Sequence, residues 1–142
     1  MVNIEKISSK TKKNFQSDKE ILFAYLFGSY AKNDTSPRSD LDLAVYLKES
    51  LSAEERFQKR LDLIGRLQEL PPAPMIDLVC LNGAPVLLSF NVIHEGKLLC
   101  CRDELERIHF EAKTMSRFFD EQYYFQRHAD WTIDRVAREG IL

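Results

Sequence analysis

Gly28 and Ser29 close an apolar run, and ten residues after Ser29 come Asp40, Leu41 and Asp42. The stretch F-G-S-Y-A-K-N-D-T-S-P-R-S-D-L-D-L-A-V-Y therefore has the form G-S-x10-D-x-D. With five Gly, ten Ser and ten Asp in 142 residues, a D-x-D arises by chance roughly 0.7 times, whereas the full four-residue spacing arises about 0.002 times. The joint pattern carries the information. Residues two apart on a strand face the same way, so Asp40 and Asp42 form a short, rigid pair of hard oxygen ligands for a divalent cation. Gly28, lacking a Cβ, lets backbone approach a phosphate closely, and Ser29 can present hydroxyl and amide at a helix N-terminus, where anions are favoured. A third acid, Asp77, sits inside the apolar run M-I-D-L-V-C-L. Its burial there would be costly unless it lies at an exposed strand end or meets a cation such as a metal. Lys32, Arg38 and Ser39 are close enough in sequence to touch phosphates. Nucleotidyl transfer needs a set of this kind: pyrophosphate held, its charge neutralised, and a hydroxyl deprotonated for in-line attack on the α-phosphorus. Two magnesium ions can serve all three needs. Asp40 and Asp42 are the expected ligands, with Asp77 as a further ligand or as the base.

The elements that must position these residues are legible from period and punctuation. Residues 3–17 have sparse apolar positions that fit a short amphipathic helix. Ile21 to Phe27 is unbroken apolar sequence stopped by Gly28, which predicts a strand buried on both faces. Ser29 can cap a short helix over Tyr30 to Asn33, followed by a turn-rich loop. Leu41 to Leu47 reads as a second strand with Asp42, Ala44 and Tyr46 on one face and Leu41, Leu43, Val45 and Leu47 on the other. Ser52 and Glu55 form a capping-box signature ahead of Phe57, Leu61, Ile64 and Leu67, a helix that must stop by Pro71 and Pro72. Met75 to Leu81 is a third strand, Pro85 to His94 a helix, and Lys97 to Cys101 a short strand. Asp103 and Glu106 then cap one helix or two, with an apolar stripe from Leu105 and Ile108 to Val136; as a single helix it would reach about 50 Å and overhang a small domain. Seven of the 15 aromatic residues lie in this region. They either pack against the sheet or form a docking surface for another protein.

Bulk properties set the bounds. The chain length matches one domain, residues 1–142, with a core over about 20–102 and a helical region over about 103–138. Twenty basic residues against 22 acidic ones give a net charge of −2 and a pI near 5.9, which lacks the electrostatic footprint of a protein that grips nucleic acid by its phosphates. No apolar run approaches the roughly 20 residues needed to span a bilayer, and the polar start lacks a secretory signal, so a cytoplasmic protein is expected. Cys80, Cys100 and Cys101 are expected to be reduced and structural, and His94, His109 and His128 show no zinc spacing.

The G-S pair, the S-D-L-D-L-A-V context, Asp77 in I-D-L-V and the segment G-K-L-L-C-C-R-D together resemble the nucleotidyltransferase superfamily of DNA polymerase beta, kanamycin nucleotidyltransferase and glutamine synthetase adenylyltransferase. Within it the chain is most similar to the minimal nucleotidyltransferases, over about residues 20–103. The resemblance implies an α/β (α+β) fold: a small mixed central sheet flanked by helices, with a long C-terminal helix or helix pair. The family commonly carries Arg where this chain has Lys32, which keeps the charge but loses bidentate phosphate binding. Members are typically encoded beside a small helical HEPN toxin with RNase-like activity and act as its antitoxin. The resemblance thus implies magnesium-dependent transfer of AMP from ATP to a hydroxyl of that toxin, a tyrosine in this family. An antitoxin that merely occludes its partner is the alternative, disfavoured because an idle Asp77 would burden an apolar strand. An antibiotic nucleotidyltransferase is a third, disfavoured by the short chain.

Overall fold

The computed structural model describes residues 4–28, 40–69 and 75–140. Elements follow in the order α1 (Ile4–Gln16), β1 (Ile21–Phe27), β2 (Leu41–Leu47), α2 (Ala53–Gln68), β3 (Ile76–Cys80), α3 (Val86–Glu95), β4 (Lys97–Cys101) and α4 (Glu104–Glu139). The strands form one sheet in the order β3-β2-β1-β4. β1 runs antiparallel to both β2 and β4, whereas β2 and β3 are parallel. This is the mixed sheet flanked by helices that the resemblance implies. The short helix expected after Ser29, and with it Ser29, Lys32, Arg38 and Ser39, lies outside the described residues.

Period two sorts the strand residues onto two cores. Ala24, Leu26, Leu43, Val45, Leu47 and Leu78 face one side, where Phe15 of α1 and Leu63 and Leu67 of α2 cover them. Phe23, Tyr25, Ala44 and Tyr46 face the other, beneath Val92 of α3 and Phe110 of α4. On that second side the Phe23 and Tyr46 rings stack with centroids 4.7 Å apart, and Phe110 closes over both at 5.5 and 5.1 Å. Central strands are therefore apolar throughout, which is why β1 reads as an uninterrupted run. The side chain of Asn82 finishes the β2 ladder: its Oδ1 accepts from the Leu47 amide at 2.8 Å and its Nδ2 donates to the Leu47 carbonyl at 2.9 Å. Cys100 and Cys101 point into opposite cores, and all three cysteines are free thiols.

The capping box of α2 forms as expected, Ser52 accepting from the Glu55 amide while Glu55 accepts from the Ser52 amide. Its buried stripe differs from the expected one. Leu63 and Leu67 are buried, whereas Phe57 and Leu61 are exposed. Polar anchors set this rotation. Lys59 binds Asp18 at 2.6 Å and Glu20 at 2.9 Å, and the Arg60 guanidinium donates to the Leu78 carbonyl at 2.6 Å. Holding positions 59 and 60 inward brings 63 and 67 inward with them, about one and two turns on.

α4 is a single continuous helix of 36 residues, about 54 Å long. Asp103 caps it by accepting from the Glu106 amide. Tyr25 donates to Glu111 at 2.5 Å, and Arg107 bridges Glu104 and Glu111, tying the first turns to β1. Leu105 and Ile108, expected on the buried stripe, are exposed, because Phe110 and Thr114 occupy the sheet-facing side instead.

Candidate active site

Strand register brings the acids together. In the parallel β2–β3 pair Asp42 stands directly opposite Asp77, and in the antiparallel β1–β2 pair it stands opposite Phe27. In-register neighbours on adjacent strands share a face about 4.8 Å apart, so both carboxylates leave the sheet on the side that α3 and α4 cover farther along. Asp40 lies two residues earlier, just ahead of β2, on the same alternation. Gly28 ends β1 beside them with φ +71°, and a Cβ built there would overlap the Asp42 carboxylate. Glycine is thus required twice at this position, for its backbone conformation and for the space that the acid occupies.

Asp42 is half-buried, while Asp40 and Asp77 are exposed. The exposure of Asp77 corrects one expectation: it sits near the open N-terminal end of β3 and does not burden the apolar strand, so its presence does not by itself argue against an occluding antitoxin. Burial, reinforced by the neighbouring charges of Asp77 and Asp40, holds the Asp42 carboxyl above its ordinary pKa. The three carboxylates share one field. Among the described residues no group of three His, Cys, Asp or Glu is gathered tightly enough to hold a metal ion by itself. The donor chemistry nevertheless suits a hard cation: the ligands are all carboxylate oxygens, they share a face, and a bound positive charge would remove the repulsion that raises Asp42.

Lys97 opens β4 opposite Leu26 at this same end of the sheet, but it shares the face of Leu26, away from the acids. A cavity of about 620 Å³ lined by Tyr46, Asn82, His109 and Lys113 among others lies elsewhere. Tyr46 is four residues along β2 from Asp42, about 13 Å at 3.3 Å per residue, so this cavity is separate from the acids.

The family model described as polymerase beta, nucleotidyltransferase matches residues 9–105, a stretch that contains Gly28, Asp40, Asp42 and Asp77. The chain belongs to the polymerase beta nucleotidyltransferase family. Among its relatives is the protein adenylyltransferase MntA of Shewanella oneidensis, 31% identical over 94 residues, which is 66% of this chain and 63% of that protein. The matched part thus spans under two thirds of the relative's length. A crystal structure of a toxin–antitoxin with AMP-PNP superposes with a TM-score of 0.68 and 27% identity, covering 93% of this chain and 99% of the other. A second, of an MNT antitoxin with a tri-AMPylated HEPN toxin from Shewanella oneidensis, gives 0.67 and 25%, with coverage of 92% and 99%. These likenesses establish the nucleotidyltransferase fold, long C-terminal helix included. Among the described residues no helix is long and apolar enough to cross a membrane.

Proposed function

We propose that this nucleotidyltransferase is a protein adenylyltransferase antitoxin, moving AMP from ATP to a hydroxyl, a tyrosine by family likeness, on a HEPN toxin and thereby neutralising it. One observation carries the reading: the register that sets Asp42 against Asp77, with Asp40 on the same face and Gly28 making room for the Asp42 carboxylate. The relatives solved with AMP-PNP and with an AMPylated toxin supply the substrate and partner class.

Asp40, Asp42 and Asp77 would hold magnesium, which when bound neutralises the triphosphate and favours ionisation of the acceptor hydroxyl. The acceptor oxygen forms the new bond to the α-phosphorus, the bond from that phosphorus to the bridging oxygen of the β-phosphate breaks, and pyrophosphate leaves with the electron pair. Asp77, exposed and adjacent to Asp42, is placed to receive the hydroxyl proton. Asp42, with its carboxyl already raised, is the acid whose ionised form gains most from a cation. Gly28 brings backbone close to the phosphates, and Ser29, Lys32, Arg38 and Ser39 are assigned to nucleotide binding from the motif alone.

The test incubates the chain with ATP, magnesium and the product of the neighbouring gene, followed by intact-mass measurement of that product. A gain of one or more AMP groups that disappears in Asp40→Ala with Asp42→Ala supports transfer. Neutralisation that persists in this double variant, with no mass gain from either protein, refutes transfer in favour of occlusion.

A further inference from the structure

The cavity of about 620 Å³ lies where the carboxyl ends of β2 and β3, the start of α3 and the first half of α4 meet. Lys113 and Arg117 line it, four residues apart and so neighbours on one face of α4. Arg107, Arg135 and Arg138 of that helix each bind a carboxylate about one turn away. Lys113 and Arg117 bind none among the described residues, and like charges at this spacing repel. β3 leads through a turn at Gly83, φ +76°, into α3, whose first amides have no side-chain cap and no acid in the first turn. Such amides lack intrahelical partners and, with the positive end of the helix dipole, favour an anion. Two buried hydroxyls meet the same space. Ser89 is 3% and Thr114 6% exposed, both line the cavity, and neither hydroxyl has a hydrogen-bond partner among the described residues. Buried polar groups are ordinarily bonded, so this pair points to a ligand.

We infer that this cavity is a second ligand site, separate from the aspartates, which takes a phosphate ester of a hydroxyl-bearing small molecule. Lys113, Arg117 and the amides at the start of α3 hold the phosphate, with the Ser89 and Thr114 hydroxyls as further donors. Two acids on the lining define the rest of the ligand. Glu49 and Glu106 converge on the Tyr46 phenol, which donates to them at 2.8 and 3.5 Å. A bare anion would meet these carboxylates as well as the cations, whereas an ester can set its phosphate on the cations and donate its hydroxyls to the acids. The volume falls in the range of small-molecule sites and is more than a bare phosphate fills. The site stands whether or not the chain transfers AMP, because none of its residues belongs to the acid cluster.

Titration calorimetry of the full chain in metal-free, low-salt buffer measures binding of inorganic phosphate, ribose 5-phosphate and AMP. Wild type is expected to bind both esters saturably and at least tenfold more tightly than phosphate. In Lys113→Gln with Arg117→Gln, whose side chains are exposed, melting temperature is expected to be retained while ester affinity falls at least tenfold. Ser89→Ala removes a hydroxyl that the ligand-free fold leaves unbonded, so it should melt no lower than wild type and bind the esters more weakly. Asp40→Ala with Asp42→Ala should bind them as wild type does, even where AMP transfer is lost. Absence of saturable binding to wild type overturns the site, as does unchanged ester affinity in Lys113→Gln with Arg117→Gln. Loss of ester binding in Asp40→Ala with Asp42→Ala also overturns it, by putting the ligand at the acids. Phosphate binding as tightly as either ester overturns the ester and makes the occupant an inorganic anion.

Discussion

Replacing Asp42 by Asn tests whether the acids were set side by side at a cost to the empty fold. The Asp42 carboxyl is raised above its ordinary value of 3.8 by burial, then by Asp77 and Asp40, so its ionised form is disfavoured in the folded chain. The sign follows from linkage: a raised folded pKa gives stability that is complete below 3.8 and is lost as pH rises through the folded value. At neutral pH the wild type is therefore missing that stability, and the amide, equal in shape and uncharged, recovers it. Two charges about 5 Å apart repel by about 3 kcal/mol at an effective dielectric of 20 and about 0.8 kcal/mol in water. Asp77 is exposed, so the watery limit governs and about 1 kcal/mol is the expected gain. For a chain of this size that is a rise of about 3 °C in melting temperature. Calorimetry without divalent ions at pH 7.5 should show Asp42→Asn melting above wild type, the gap shrinking as pH falls toward 3.8 and shrinking again in 1 M salt, where charges are screened within about 3 Å. Adding magnesium with AMP-PNP should reverse the order, because only wild type gains binding energy. A variant that melts lower than wild type in metal-free buffer, or a gap indifferent to both salt and pH, would refute the claim of mutual repulsion at this face.

Gly28→Ala should lower stability by about 1–3 kcal/mol and reduce transfer at least 100-fold, since the new methyl meets the Asp42 carboxylate at a positive φ; a nearly normal rate with normal melting would contradict it. Asp77→Asn should abolish transfer while leaving melting within about 1 kcal/mol of wild type, because the side chain is exposed; collapse of the fold would mean a structural role. At the opposite face, burial works to raise the Asp18 carboxyl, but the bonds from Lys59 and the Glu20 amide and the charge of Arg66 hold it below its usual value. Asp18→Ala should thus cost about 1–3 kcal/mol at neutral pH by leaving Lys59 with Glu20 as its remaining partner. The loss relative to wild type should fade as pH drops below 3.8 through the depressed folded value, as an acid melting series would show. Phe23→Ala, at the centre of the ring stack beneath α4, should cost about 3–5 kcal/mol in urea titration, against under about 0.5 kcal/mol for exposed Leu105→Ala.

The chain's order of residues was enough for the strands and the caps. Ile21 to Phe27 and Leu41 to Leu47 are bounded as strands by their own apolar period and by Gly28, and Ser52 with Glu55 marks its helix start, because these are local effects of backbone and side chain. The G-S-x10-D-x-D spacing is likewise a local signal for which side chains share a face, since two acids two residues apart on a strand point the same way whatever surrounds them. Pairing decided the rest. Nothing near Asp77 in sequence says that β3 lies parallel to β2 in the register that sets residue 77 against 42, nor that Asp77 opens to solvent. Amphipathic period alone placed Ile64 and Leu67 of α2 inward as found but misplaced Phe57 and Leu61, and Leu105 and Ile108 of α4, where Lys59, Arg60, Phe110 and Thr114 set the helix rotation through partners distant in the chain. The exposure of the last 20 residues of α4 is of the same kind: an apolar stripe records what a helix can bury, and only the extent of the sheet beneath it determines where burial stops.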